Sequence, residues 1–299
     1  MSPSFALRAK EEICANPLAQ SLPEAELAAM TLTGALPVQG DGTFGLKYRT
    51  ESPDVARRLR TLVHAMTEEE AAITSGKRAL SVTVENGAAL LARLGLDTTL
   101  DGSLPERALR TRRGRVAVVR GAFLLGGTIS DPNKGYHLEF VTAKETFAHL
   151  LQKTLHNLGM EAKIFQRKAC FVIYLNEGDS IASLLALIGA HTSILDLENV
   201  RVLKETRNNV NRIVNCETAN INKSVNAAVA QIRNIKLIEQ EIGLNKLSAA
   251  LQEAASLRIQ YPEATLQELC ELSGTTKSGM NHRLRKINAI ARDISGEEL

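Results

Sequence analysis

Hydrophobic and polar positions along the first two-thirds of the chain recur as a repeat. Displacing the segment that starts at Thr43, TFGLKYRTESPDVARRLRTLVHAM, by 92 residues places it on GYHLEFVTAKETFAHLLQKTLHNL. Apolar residues then coincide: Phe44 with Tyr136, Leu46 with Leu138, Tyr48 with Phe140, Val55 with Phe147, Leu59 with Leu151, Val63 with Leu155 and Met66 with Leu158. A two-residue deletion carries the match to Val82 with Val172 and Val84 with Tyr174, and upstream Gly34 falls within one residue of Gly127. The apolar period changes in the same order within each copy. Phe44, Leu46 and Tyr48, like Tyr136, Leu138 and Phe140, alternate as half-buried strands do, whereas Phe147, Leu151, Leu155 and Leu158 have helical spacing. Thr142 with Glu145 three residues on predicts a capping box at the start of that helix, and Gly159 marks its end. A strand from Ala169 to Leu175 and an apolar helix from Ile181 to Ile188 complete the second copy. Each half reads helix, strand, helix, strand, helix, with a weaker additional strand over Lys163 to Gln166. The expected class is an α+β domain of two similar halves, about 22–96 and 115–190, within residues 1–194.

Between the halves, Asp97 to Arg115 is polar, with Gly102 and Pro105 as breakers. Its Arg107, Arg110, Arg112, Arg113 and Arg115 fit a solvated connector or, alternatively, contacts to phosphate. Residues 195–243 read as a linker helix: Ile221, Val225, Ala228, Ile232, Ile235 and Ile238 form a one-sided stripe, and Leu195 to Ile242 contains neither proline nor glycine. Asn208, Asn209, Asn211, Asn215, Asn220, Asn222, Asn226 and Asn234 crowd the same stretch. Asparagine is a poor helix former, so these side chains either cap and pack or meet a partner.

After Gly243 the pattern restarts, defining a third segment over 244–299. Leu247, Leu251, Ala254, Ala255 and Leu257 give a first helix ending near Tyr261 and Pro262. Thr265 and Glu268 form a capping box, opening a short helix that stops at Ser273 and Gly274. A basic helix follows, with Met280, Leu284, Ile287 and Ile290 inward. A short capped helix, a glycine-containing turn and a basic amphipathic helix make an all-α helix-turn-helix domain. In that geometry the second helix enters the major groove of double-stranded DNA and its N-terminal residues reach base edges. Here those are Thr276, Lys277, Ser278, Asn281 and His282, with Arg285 one turn beyond Asn281. Asn pairs bidentately with adenine and Arg with guanine, so Asn281 and Arg285 are the base-reading candidates. Lys277, Arg283 and Lys286 suit phosphates. His282 also fits a simple surface histidine, and a basic three-helix protein-interaction bundle is the competing account of the whole module.

Charge supports the DNA reading through its distribution. The net charge is only +3, yet Lys277 to Arg292 carries five cations and no acid. From Asn199 to Ile238, Arg201, Lys204, Arg207, Arg212, Lys223, Arg233 and Lys236 face only Glu205 and Glu217. Arg201, Lys204, Arg207 and Arg212 are therefore candidate backbone contacts, in a stretch with the electrostatic footprint of a phosphate-facing surface. The apolar fraction of 44% and charged fraction of 23% are those of a soluble globular protein. No tract has the length of a membrane span and the N-terminus lacks a signal-peptide pattern. Cys14, Cys170, Cys216 and Cys270 lie far apart, which argues against a zinc site or a disulfide framework and fits a cytoplasmic protein. No cofactor is expected. Aromatics at 4% supply few stacking platforms for single strands.

FALRAKEEI, RGAFLLGGTISDPNKGYHLEF (Arg120 to Phe140), RNNVNRIVNCETANINKSVNAA (Arg207 to Ala228) and TKSGMNHRLRKI (Thr276 to Ile287) resemble the WhiA family over nearly the whole length. The resemblance implies a two-repeat LAGLIDADG homing-endonuclease-like domain followed by a helix-turn-helix. It also implies transcription regulation in cell division, chromosome segregation and, where it occurs, sporulation. Association with the nucleoid and, in some lineages, cooperation with a WhiB-like iron–sulfur protein belong to the same expectation.

That ancestry raises the question of cleavage. A LAGLIDADG nuclease packs two helices through small residues, each delivering an acid to divalent metal. FLLGGTISDP resembles the second helix, with Gly126 and Gly127 for close packing and Asp131 at the acid's position. The first copy, MTLTGALPVQG, offers Val38 or Gln39 there, with Asp41 a few residues downstream. The metal pair is therefore expected to be degenerate and the chain not an enzyme; an active metal-dependent endonuclease is the alternative. Asp131 also fits plain turn chemistry, in Asp-Pro-Asn-Lys-Gly. Neither the operator nor the oligomeric state is readable, although one helix-turn-helix reads only a half-site.

Overall fold

Each copy of the repeat folds as helix, two strands, helix, two strands, helix in the computed structural model, which describes residues 3–17, 22–40, 43–77, 79–100 and 104–296. The chain divides into two compact units, Met1–Lys204 and Glu205–Leu299. The first opens with α1 (Phe5–Ala15). The first copy is α2 (Pro23–Gly34), β1 (Leu36–Gly40), β2 (Thr43–Thr50), α3 (Pro53–Thr67), β3 (Ala72–Ser75), β4 (Leu80–Val84) and α4 (Gly87–Leu94). After α5 (Glu106–Arg110), the second is α6 (Arg112–Gly126), β5 (Gly127–Ile129), β6 (Leu138–Thr142), α7 (Glu145–Asn157), β7 (Lys163–Arg167), β8 (Cys170–Leu175) and α8 (Gly178–Ile188). Two antiparallel sheets result, ordered β1-β2-β4-β3 and β5-β6-β8-β7. Val82 pairs with Tyr48, and Val172 with Val141, the residue after Phe140. The α+β class is as expected.

Alternation decides which sheet face is covered. Leu46, Tyr48, Val82 and Val84 are buried in the first sheet, and Leu138, Phe140, Ile173 and Leu175 in the second. At the centre, α2 is buried from Ala25 to Thr33 and α6 from Ala117 to Leu124, so neither keeps a polar face. They approach backbone to backbone. A Cβ added at Gly121 would lie 2.2 Å from the Glu26 carbonyl oxygen, and one at Gly126 would lie 2.5 Å from Thr33 Cγ2. Gly126 therefore serves the close packing predicted for it. Gly127 does not: its neighbour is Phe123 of its own segment. Gly121, which periodicity did not single out, is the tightest point between the two helices.

One buried ionic cluster ties the copies together. Glu26 of α2 accepts from Arg58 of α3 at 2.5 and 3.1 Å and pairs with Arg120 of α6 at 3.6 Å. Arg58 also donates to the Asn16 carbonyl, and Arg120 to that of Ile188. Every charged group is thereby paired and hydrogen-bonded, the condition under which buried charge is tolerated.

Three expectations need correction. α7 has no capping box: Thr142 is the last residue of β6, where its hydroxyl accepts from the Lys144 amide and donates to the Leu32 carbonyl. β1 and β5 were not anticipated, since the three residues of β5 are too few to show a period. The arginine-rich connector is not simply solvated. Leu104 and Ala108 are buried, Arg107 pairs with Glu24, and Thr111 caps α6 by accepting from Gly114. Gly102 lies outside the described residues.

The long helix α9 (His191–Glu241) runs for 51 residues and begins in the first unit. Its apolar stripe is buried only towards its end, at Ala228, Ile235 and Ile238, while Ile221 and Val225 are exposed. In the second unit, α10 (Ala249–Gln260), α11 (Leu266–Ser273) and α12 (Lys277–Ser295) close a core of Leu251, Ala254, Leu269, Met280, Leu284 and Ile287 around Ile235 and Ile238. The end of α9 is thus part of the helical core. Among the described residues, no helix is long and apolar enough to cross a membrane.

Candidate nucleic-acid interface

The turn between α11 and α12 is built from local chemistry. Thr265 accepts from the Glu268 amide at 3.3 Å, and the Glu268 carboxylate accepts from the Thr265 amide at 2.7 Å. This is the capping box expected there, and the bond from the Thr265 amide holds the Glu268 carboxyl below the ordinary carboxylate range. Gly274 ends α11 in the left-handed region at φ +62°, a conformation glycine adopts without steric cost. Thr276 then caps α12, its hydroxyl accepting from the Gly279 amide at 3.2 Å. Only Gly274 and Thr275 separate the end of α11 from this cap.

Packing fixes the outward face of α12. Met280, Leu284, Ile287 and Ala291 are buried, which turns Lys277, Ser278, Asn281, His282, Arg285 and Lys286 to solvent. Ser278, Asn281, His282 and Arg285 follow one another along one side at helical spacing. Arg292, seven residues after Arg285, prolongs that side and was not among the candidates. Among the described residues, the side chains of Lys277, Asn281, His282, Arg285 and Lys286 have no protein partner. Thr276 is used as the cap acceptor but keeps its hydroxyl proton to donate.

Arg283 differs. Its guanidinium pairs with Glu253 of α10 at 2.8 Å and its side chain is only 23% exposed. It fastens α12 to α10, and its charge is already met, so its assignment to phosphate does not suit its position. Of the candidates on α9, Arg201 pairs with Asp179 and Glu198, and Lys204 donates to the Pro132 carbonyl beneath the Tyr136 ring. Both anchor the start of α9 to the first unit. Arg207 and Arg212 are exposed and without a protein partner among the described residues.

The two central helices of the first unit end without carboxylates. α2 closes on Thr33 and Gly34, and α6 on Leu125 and Gly126. Asp131 lies beyond β5, exposed in a turn where its side chain accepts from the Asn133 amide and side chain at 2.9 Å each. Those bonds hold its carboxyl below the ordinary carboxylate range. Its own carbonyl accepts from the Lys134 and Gly135 amides. Val38 and Gln39 sit within β1. Asp41 lies outside the described residues. Divalent metal needs converging oxygen ligands, and among the described residues no three His, Cys, Asp or Glu side chains converge in that way. Among the described residues, the ends of α2 and α6 supply no carboxylate to such a metal pair.

Comparison with known proteins agrees with this architecture. The family model for the WhiA LAGLIDADG-like domain matches residues 115–207, and that for the WhiA C-terminal HTH domain matches residues 210–291. A probable cell division protein WhiA of Clostridium novyi (strain NT) is 44% identical, over 98% of this chain and 99% of its own length. One of Alkaliphilus metalliredigens (strain QYMF) is 42% identical, over 92% of this chain and 93% of its own. The crystal structure of full-length WhiA from Thermatoga maritima superposes with a TM-score of 0.61 at 23% identity, covering 97% of this chain and 99% of that one. With both units accounted for along its length, the chain belongs to the WhiA family.

Proposed function

We propose that this protein is a sequence-specific DNA-binding transcription regulator of cell division, with chromosome segregation and, where it occurs, sporulation in its range. The observation that carries the reading is the unpartnered outward row of α12, Ser278, Asn281, His282 and Arg285, held behind a capped turn. Exposed amide and guanidinium groups without a protein partner, on a helix placed to enter the major groove, are what direct base readout requires. Lys277 and Lys286 flank that row for phosphates, with Arg207 and Arg212 adding charge from α9. The carboxylate-free ends of α2 and α6 support binding without cleavage by the first unit. The reading puts the protein in the cytoplasm at the nucleoid, and allows a WhiB-like regulator as partner.

Footprinting of the full chain on its selected sequence tests this. Asn281→Ala and Arg285→Ala should each cost about 1–3 kcal/mol and relax preference at particular base pairs. Equal small losses on all sequences would indicate a nucleoid protein without sequence preference. Mg²⁺-dependent nicking of a plasmid that Asp131→Ala abolishes would make the chain an endonuclease.

A further inference from the structure

The first unit contains a cavity of about 430 Å³ between the first turns of α1, the chain leaving β2 for α3, and the end of α6. Of the hydroxyl residues Ser4, Thr50, Ser52 and Thr128 in its lining, the first three each already accept one backbone hydrogen bond. Ser4 accepts from Leu7 at 3.2 Å, Thr50 from Ser52 at 3.2 Å and Ser52 from Val55 at 3.3 Å. An amide held against a hydroxyl oxygen leaves that hydroxyl its proton to donate. No protein acceptor takes those protons among the described residues. For Ser52, only 2% exposed, a proton without an acceptor is costly.

Two cations, Lys10 and Arg49, line the cavity among the described residues. Lys10 lies 5.8 Å from the centre of the Phe123 ring, and neither Lys10 nor Arg49 has an ion pair among the described residues. Burial pulls the Lys10 ammonium down to about 8, against the opposing pull of Cys14 and Glu51. A bound anion would relieve that destabilised cation. Among the described lining residues Glu51 is the one carboxylate, against the two cations Lys10 and Arg49.

We infer that this cavity binds a phosphate group, held by Lys10 and Arg49 and by the hydroxyls of Ser4, Thr50 and Ser52. Three donor hydroxyls and two cations exceed what the two oxygens of a carboxylate can use, whereas phosphate offers three charged acceptor oxygens. Three terminal oxygens belong to a phosphate monoester or to free phosphate; a nucleic-acid phosphodiester, with two non-bridging oxygens and one charge, offers no more than a carboxylate. The site is built from residues of the first unit and does not depend on the function proposed for α12.

Trace acylation of Lys10 in the full-length protein, read by mass spectrometry near pH 8, tests the inference. The probes are inorganic phosphate, ATP and duplex DNA, each against chloride at equal ionic strength. The expected result is that inorganic phosphate or ATP slows Lys10 labelling several-fold while duplex DNA does not, and that Arg49→Gln raises the concentration needed by about tenfold. Arg49 is exposed, so this variant should leave the core intact, which an unchanged melting temperature would verify. Protection by duplex DNA at least equal to that by phosphate or ATP would overturn the assignment to a terminal phosphate group. No protection by any probe, protection matched by chloride, or protection unaffected by Arg49→Gln would overturn the inference.

Discussion

Replacing Gly121 by alanine sets two opposed effects against each other, and the structure decides the sign. In a helix interior, alanine is favoured over glycine by about 1 kcal/mol, so propensity alone predicts a more stable protein. Gly121, however, faces the α2 backbone, where the new Cβ would sit 2.2 Å from the Glu26 carbonyl and 3.2 Å from the Ala29 Cβ. A helix backbone cannot swing aside as a side chain does, so α2 and α6 must part by roughly 1 Å, a gap that forfeits a quarter to a half of each contact's attraction. Overpacking of this kind costs about 3 kcal/mol, the upper part of the usual range. The net destabilisation is about 2 kcal/mol, or a melting temperature of the first unit lower by about 4–8 °C. Thermal unfolding followed by circular dichroism measures it. Gly178→Ala is the control, because its Cβ meets only ordinary contacts of 3.7–3.8 Å with Tyr136. That variant should melt at or slightly above the parent temperature. If Gly121→Ala also melts higher, the close approach of α2 and α6 is wrong.

Lys286→Ala should weaken DNA binding about equally on all sequences and make the salt dependence shallower by about one ion, read from affinity against salt concentration. Arg283→Ala should leave that salt slope unchanged while lowering the stability of the second unit by about 1 kcal/mol or less, because its partner is Glu253 and the pair is partly exposed. Glu268 has a depressed carboxyl in the folded state, so its contribution is full above the ordinary carboxylate range and is lost as pH falls through the folded value. Unfolding of the second unit should therefore become easier on acidification, and Glu268→Gln, which can still accept from Thr265, should flatten that dependence. Thr265→Ala removes the other half of the box and should cost about 1 kcal/mol near neutral pH, measured by denaturant unfolding, and less on acidification because the Thr265 side chain also helps to hold the Glu268 carboxyl down.

The parts of this protein legible in its sequence are those whose cause is local. The two-residue period of Leu46 and Tyr48, the helical period of Phe147, Leu151 and Leu155, the Thr265–Glu268 box and the Gly274 stop each act within a few residues. Together they specify the repeat and the helix-turn-helix. Where local cues had competitors, they failed: Thr142 has the spacing of a cap, yet its place in β6 claims it for the sheet. Asp131 occupies a plausible acid position in the sequence, but Pro132 and Asn133 commit it to a turn.

Tertiary structure alone decided which equivalent-looking side chains are available. Arg283 and Arg285 are two residues apart on one basic helix, and a partner 30 residues away, Glu253, engages the first. Lys204 and Arg207 stand one turn apart on α9, and Pro132 takes the first. Of the glycines in α6, Gly121 bears the close approach to α2 because the Glu26 carbonyl lies opposite it, a relation no spacing encodes. Sequence determined the secondary elements and their order, since hydrophobic period and capping are short-range. The pairing of charges, the tightest helix contact and the cavity around Lys10 came from chain segments brought together across the fold, because each depends on what packs opposite.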